Sequence, residues 1–488
     1  MEPFNSWRVK YEKILKPILN FSISLPVPLY LVGGSIRDIL LNQEKTNPDF
    51  DFCLPSGAIN FAKRLSKILN AGFVVLDKQH GCARLVKRID NKQFTFDFSD
   101  FRDKDILKDL AKRDFTINSM AINIEENFFN SPLKQILIDP YGGYNDLKKR
   151  IVRCINPFAF DDDPLRILRA FSFVALFNFS LEKNTLATMK QKKALLQKVS
   201  PERLRDELFK ILNCNFSYRV IKMMHSYGIL EILFPELKKL KLFEERYRKD
   251  RLLVFSHSIK TYQKLEELIA RKKNNSCLTE YLQEELSGSH NRMQLLKLSA
   301  LLHDVGKPFT FTVRKGKVRF YGHERKGAQI VYETGKRLRL SNEELRILTK
   351  LILLHLRPGY LVTNYPITPR AKFRFFRDAG PQLPLIILLA LADERATSDY
   401  LLLEKIRKRY EYVLPKLMDD YFKKQKEMPV QKLVDGYDIM KELSIGPSKL
   451  VGVVLRKLEE LRAIGKIKTK EEALRQAHLI KKKYEKSS

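Results

Sequence analysis

Apolar residues change their spacing once along this chain, and that change limits what it can fold into. Between about residues 28 and 155, short apolar runs ("PLYLVGG", "DFDFCL", "GFVVLD", "ARLVKRI", "FTFDFSDF", "IVRCI") alternate with helical stretches such as "GAINFAKRLSKILN". Strands interleaved with helices predict an α/β or α+β catalytic-type unit. Beyond Asp163 the strand signal almost vanishes, and "PLRILRAFSFVALF", "ERLRDELFKIL" and "SYRVIKMMHSYGIL" carry apolar residues three and four apart. That spacing predicts packed helices through most of the remaining chain. At 488 residues the chain exceeds one core, and about three or four domains are expected. The polar stretch Arg271–Arg292 reads as an exposed insertion, and a second joint is expected near Lys423–Pro429. No convincing internal repeat stands out.

Charge narrows the class of partner. Lys and Arg number 90 against 57 Asp and Glu, a net +33 and a pI near 9.8, which favours a polyanion such as nucleic acid. A hydrophobic fraction of 44% argues for a folded protein. No uninterrupted apolar run approaches the roughly 20 residues a bilayer requires, and the N-terminus lacks the apolar core of a signal peptide. The expectation is a cytoplasmic protein with no membrane partner. Five cysteines (Cys53, Cys82, Cys154, Cys214, Cys277) lie far apart with no CxxC pair, so reduced thiols are expected rather than a disulfide framework or zinc ribbon.

The candidate chemistry begins at "LYLVGGSIRDILLN" and "PDFDF". Strand side chains alternate faces, so Asp49 and Asp51 point one way while Phe50 and Phe52 point the other. Adjacent carboxylates repel unless a cation sits between them, and Mg²⁺ characteristically bridges one or two carboxylates to substrate phosphates. Gly33 and Gly34, at a strand-to-helix turn, let backbone amides approach a triphosphate. Asp97, which interrupts the apolar alternation of "FTFDFSDF", is the candidate third carboxylate of a two-metal site. Alone, a Gly-Gly pair is usually a tight turn and an Asp-x-Asp a solvated strand end; about fifteen residues apart they reinforce each other.

With "KRDFTINSMAIN", "DPYGGYNDL" and "DDPLRILRAFSF" following in order, the chain resembles the class II tRNA nucleotidyltransferase and bacterial poly(A) polymerase family. The resemblance covers roughly residues 28–215 and implies an α+β nucleotidyltransferase head with a polymerase-beta-like mixed sheet, then all-α neck, body and tail. The expected spans are 1–155, 156–245, 246–420 and 421–488. It further implies Mg²⁺-dependent addition of nucleotides to an RNA 3′ end, with Arg37 and Asp38 of the glycine motif among the nucleotide-binding groups. Arg113, Asp114 and Asn118 are assigned by the resemblance to the ribose and triphosphate; four apart, Asp114 and Asn118 are expected on one helix face.

Asp163 and Arg166, three apart, would present an acceptor beside a forked donor on a helix, with Arg169 in support. Cytosine and adenine offer an amino group to the carboxylate and ring acceptors to the guanidinium, whereas uracil and guanine oppose a carbonyl to it. This is the role the family gives the pair, although Asp162 stands where members often have Glu. Adenosine-adding members generally carry a longer flexible stretch before the Arg113 motif, and only ten residues separate Arg102 from Arg113 here. The resemblance therefore points to a CC-adding enzyme that takes CTP, with ATP as the alternative, and tRNA lacking its 3′ CCA. A separate A-adding enzyme would complete the end. A complete CCA-adding enzyme, a poly(A) polymerase and a non-catalytic RNA-binding protein are the other readings.

Of eight histidines, His257, His303, His323 and His355 fall within about a hundred residues. With Asp304 and Asp393 they form a candidate divalent-metal set of imidazole and carboxylate. The order H…HD…H…H…D resembles the HD phosphohydrolase superfamily, which implies metal-dependent hydrolysis at phosphorylated RNA ends; a scaffold without activity is the alternative. The basic stretch from about Leu433 onward resembles the tail of HD-containing members, and basic helices suit recognition of folded RNA by backbone and shape.

Overall fold

The computed structural model describes residues 2–25, 27–43, 47–250, 252–272, 275–288, 290–397, 404–426 and 433–485. Residues 1–211 and 212–488 form two compact units. In the first, the alternating segments build a seven-stranded sheet of β1 (Tyr30–Val32), β2 (Asp49–Leu54), β3 (Gly72–Asp77), β4 (Cys82–Ile89), β5 (Lys92–Asp100), β6 (Ala121–Asn123) and β7 (Leu137–Ile138). The spatial order is β3-β4-β5-β2-β1-β6-β7. Only β2 and β5 are parallel, so the sheet is mixed.

That parallel pair positions the chemistry. Its register sets Asp51 opposite Asp97 and Phe52 opposite Phe98. The pleat then gives β2–β5 one aromatic face and one carboxylate face. On the aromatic face Phe50 stacks on Phe96 and Phe52 on Phe98, with centroids 5.4 and 5.1 Å apart. Helices α1 (Glu2–Ile23) and α3 (Ala58–Leu69) cover it: Trp7 and Tyr11 meet Phe50, and Phe61 meets Phe98. The opposite face is left open beside α2 (Gly34–Leu40), which follows β1 directly, and near α4 (Ile106–Ala111), which follows β5 after residues 101–105.

Three local expectations are corrected. "IVRCI" does not join the sheet; Ile151–Val152 pairs with Ser180–Leu181 as a separate two-stranded ribbon. A hairpin, Thr312–Arg314 with Lys317–Arg319, interrupts the helical part. The segment Arg271–Arg292 is not simply exposed: Ser276–Gln283 is helical and buries Leu278 and Leu282, an i,i+4 pair hidden in polar composition. Of the joint expected at Lys423–Pro429, helix Glu404–Lys426 occupies the first part and residues 427–429 lie outside the described residues.

The second unit is built on Leu383–Ala396, whose "LPLIILLALA" stretch is buried on all sides, the pattern of a central helix. It packs against helices Val254–Arg271 and Glu404–Lys426. At the C-terminus, helices Gly436–Leu443, Lys449–Ala463 and Lys470–Glu485 close over Ile439, Val454, Leu458 and Ala473.

Candidate active site and metal centre

The carboxylate face opens into a cleft of about 980 Å³ within the first unit. Asp49, Asp51 and Asp97 line it, as do Gly33, Gly34, Arg37 and Asp38. So do Arg113, Asp114, Asn118, Asp163, Arg166 and Arg169, so that the candidate catalytic and nucleotide-binding residues before position 170 all reach one cavity. Asp49 is exposed and Asp51 half-buried, while Phe50 and Phe52 are buried. Ser35, at the start of α2, ties the strand to the glycine turn: its hydroxyl accepts from the Asp51 N–H at 2.8 Å and donates to the Asp49 carbonyl at 3.3 Å.

Gly33 is required by geometry. Its φ is +67°, and a Cβ there would lie 2.6 Å from Arg113 Nη1. Arg113 in turn donates from Nε and Nη2 to Asp109 at 3.1 and 3.0 Å. Behind the turn, a chain of bonds locks five motif residues together. Arg169 grips Asp114 Oδ2 from Nε and Nη2 at 2.9 and 2.7 Å, and Asn118 Nδ2 donates to Asp114 Oδ1 at 2.9 Å. Arg37 Nη1 donates to Asn118 Oδ1 at 2.5 Å, and its Nε to Asp38 at 2.8 Å. Burial pushes the Asp114 carboxyl up, but Arg169, Asn118 and the Phe115 N–H outweigh it and hold the group below the ordinary carboxylate range.

Two helical premises are corrected. Asp114 lies in a bend and Asn118 in the 3₁₀ turn Thr116–Asn118, so they meet through a turn rather than along one helix face. Asp163 has extended backbone (φ −146°, ψ 99°) and precedes the helix Arg166–Phe177. Pro164 explains this, because the residue before proline is pushed out of the α region. Asp163 Oδ2 is held by Arg203 Nη2 at 2.8 Å, and Arg166 donates to the carbonyls of Arg113 and Lys112 at 3.1 and 2.8 Å. Acceptor and donor share the cleft, each with its own protein partner.

Sequence reasoning missed Arg84 and Arg203. Arg84 grips Asp97 from Nε and Nη2, both at 2.7 Å, across the β4–β5 register. Only the register brings the pair together; alternation in "ARLVKRI" was the sole available hint.

In the second unit the histidine set converges. His257 comes from helix Val254–Arg271, His303 and His355 from the ends of helices Arg292–Leu302 and Asn342–Leu354, His323 from the start of His323–Arg337, and Asp393 from Leu383–Ala396. Asp304 is central: its carboxylate lies 3.2 Å from His303 Nε2, 3.5 Å from His323 Nε2 and 3.9 Å from His257 Nε2. Asp393 Oδ1 stands 2.7 Å from His257 Nε2 and 3.7 Å from His303 Nε2.

The donor set fits a metal. Nδ1 of His303, His323 and His355 pairs with the carbonyls of Ala300, Phe320 and Ile352 at 3.0, 2.8 and 2.6 Å, while the three Nε2 atoms are buried without a hydrogen-bond partner. Carbonyl-held Nδ1 atoms orient imidazoles as metal ligands do. Three such nitrogens with carboxylate oxygens suit a first-row divalent ion. Although burial disfavours charge on His303, Asp304 and Asp393 push its pKa up to about 10. Burial and the neighbouring His303 push His355 down to about 4.

Comparison with known proteins matches this layout. The model of the Poly A polymerase head domain matches residues 29–153, the probable RNA and SrmB-binding site of polymerase A 178–241, and the HD domain 254–398. The A-adding tRNA nucleotidyltransferase of Deinococcus radiodurans is 29% identical over 91% of this chain and 93% of its own. The CC-adding tRNA nucleotidyltransferase of Synechocystis sp. is 28% identical over 94% and 95%. A solved complex of a CCA-adding enzyme with CTP shares the fold at a TM-score of 0.65 and 24% identity, over 96% of this chain and 95% of that one. With head, RNA-binding and HD segments matched in order along one chain, this protein belongs to the class II tRNA nucleotidyltransferase and bacterial poly(A) polymerase family, and it carries an HD domain.

Proposed function

We propose that this chain is a CC-adding tRNA nucleotidyltransferase: it transfers CMP from CTP to the 3′ end of tRNA lacking CCA and releases pyrophosphate. It works in the cytoplasm, and a separate A-adding enzyme finishes the end. The observation that carries the CC assignment is the direct passage from β5 to α4 through residues 101–105, which leaves no room for the longer stretch associated with adenosine addition. Identities of 29% to an A-adding and 28% to a CC-adding relative do not separate the two.

Asp49 and Asp51 are the groups that would hold Mg²⁺, with Asp97 as the third carboxylate. Bound there, one ion would activate the terminal hydroxyl and a second would steady the leaving pyrophosphate. The chain supplies the positioning. Gly33 and Gly34 admit the triphosphate to the backbone, and the Arg169–Asp114–Asn118–Arg37 chain fixes the pocket wall. Asp163 and Arg166 select the base. To read cytosine, Asp163 exchanges Arg203 for the N4 amino group, and Arg166 turns from the two carbonyls to O2 and N3. Arg84 compensates Asp97 until substrate arrives.

A complete CCA-adding enzyme is the second reading, because the same pair matches adenine N6 and N1. Incubating tRNA that lacks CCA with each labelled nucleotide decides between them: two C additions and a stop are expected, and efficient A addition after CC refutes the assignment. For the second unit, His257, His303, Asp304, His323, His355 and Asp393 are the proposed ligands of a divalent metal that supports hydrolysis at phosphorylated RNA ends. A protein whose hydrolysis of 2′,3′-cyclic or 2′-phosphate substrates is indifferent to Mn²⁺, Ni²⁺, Co²⁺ and Mg²⁺ would instead be using the HD unit as a scaffold.

A further inference from the structure

The hairpin between Asp304 and His323 has no part in the function above. Its strands pair Thr312 with Arg319, Val313 with Val318 and Arg314 with Lys317. They turn through Lys315 and Gly316 at φ of 50° and 68°, the two left-handed residues of a tight hairpin. Arg314, Lys315, Lys317 and Arg319 are cationic, and no residue from 312 to 319 is acidic. Arg314 stands directly across from Lys317, where like charges oppose strand pairing. A two-stranded ribbon has little packing with which to offset that repulsion. The charge pattern works against folding and in favour of a polyanion.

The hairpin is planted beside the metal centre. Phe311 and Phe320, just outside its strands, lie 5.9 Å apart, and Phe311 packs on Tyr247 at 4.7 Å. The Phe320 carbonyl pairs with His323 Nδ1 at 2.8 Å, so the base of the hairpin orients a candidate ligand. On the other side, Lys307 Nζ reaches Asp304 at 2.5 Å. Four residues from Phe320 to Gly316 at ~3.3 Å each make an arm of ~13 Å. Next to it Phe309 is 49% exposed, with Lys239 and Lys326 Nζ 5.5 and 5.8 Å from its ring. Cations along a ribbon with a partly exposed, lysine-flanked aromatic ring beside it are the components of single-strand nucleic-acid binding.

We infer that the hairpin 312–319, together with Phe309, binds single-stranded RNA and leads its phosphorylated end to the His–Asp cluster. The inference rests on the phosphohydrolase reading for where the strand end goes; the binding itself needs no metal. The test titrates the full-length, chelator-treated protein into a labelled RNA hexanucleotide with a 3′-phosphate and follows fluorescence anisotropy. The variant R314Q/K315Q/K317Q/R319Q is expected to bind about tenfold or more weaker. Its salt slope should fall by ~3 units, from four cations at ~0.7 per phosphate. F309A should lose about fivefold or more with the slope unchanged. Equal affinity and slope in wild type and variants overturns the inference.

A second arm gives metal-loaded wild type a mononucleotide 2′,3′-cyclic phosphate. If that substrate is inert while the hairpin variants still lose RNA, the phosphohydrolase reading fails and the RNA arm stands. If it is hydrolysed while RNA binding ignores the hairpin, the arm is refuted and the phosphohydrolase reading stands.

Discussion

Replacing Arg169 with methionine keeps most of its volume and removes the fork on Asp114. The Asp114 side chain is 8% exposed and that of Arg169 is 35%, so the variant leaves a buried carboxylate with only Asn118 and the Phe115 N–H. Breaking a fully buried pair costs ~3–5 kcal/mol; solvent at Arg169 screens part of the attraction, which brings the expected loss to ~2 kcal/mol. For a unit of this size that is a fall in Tm of ~4–8 °C. The sign with pH is fixed by the direction of the shift. In the native protein Asp114 is held below its usual value of 3.8, so its contribution is present above about pH 4 and is lost as pH falls through the folded pKa. Without Arg169, burial dominates and the carboxyl is pushed up, so the gap between wild type and variant should shrink as the medium is acidified. Because Asn118 and Arg37 hang on the same bonds, CTP incorporation should fall by about 10–100-fold in kcat/KM. Thermal melts from neutral to acidic pH, with incorporation assays at neutral pH, measure all three effects. An unchanged Tm with unchanged incorporation would show that the chain of bonds does not hold the pocket.

Replacing Asp49 and Asp51 with alanine should abolish incorporation while leaving tRNA affinity intact; a gel-shift titration beside the product ladder checks both, and retained incorporation would refute the metal assignment. Gly33→Ala places a left-handed Cβ against Arg113, costing ~1–2 kcal/mol from backbone strain alone, and should raise the KM for CTP more than it lowers tRNA binding. In the second unit, elemental analysis should find at least one divalent ion per chain, held by the imidazole and carboxylate set around Asp304. His323→Ala should lose the ion, and chelation should lower the unit's Tm because three imidazole nitrogens are then buried without partners; a metal-free protein that melts at the same temperature would argue against the site.

The strands around the cleft were legible because a period of two survives in "DFDFCL" and "FTFDFSDF", and it alone places Asp49 and Asp51 on the face opposite Phe50 and Phe52. The glycine turn and the histidine series were legible for a similar reason, since each is carried by residue type at short range. Long-range pairing was not. Nothing local says that β5 lies beside β2 with Asp97 level with Asp51, or that β4 brings Arg84 onto Asp97. The helical spacing assumed for Asp163 and Arg166 was a local rule defeated by a local residue, Pro164. The partners of that pair, Arg203 and the carbonyls at 112 and 113, come from segments about 40 and 50 residues away. Local chemistry is written in neighbours along the chain and so can be read from it. Charge compensation, register and the aim of each side chain depend on contacts between distant segments, and only folding brings those together.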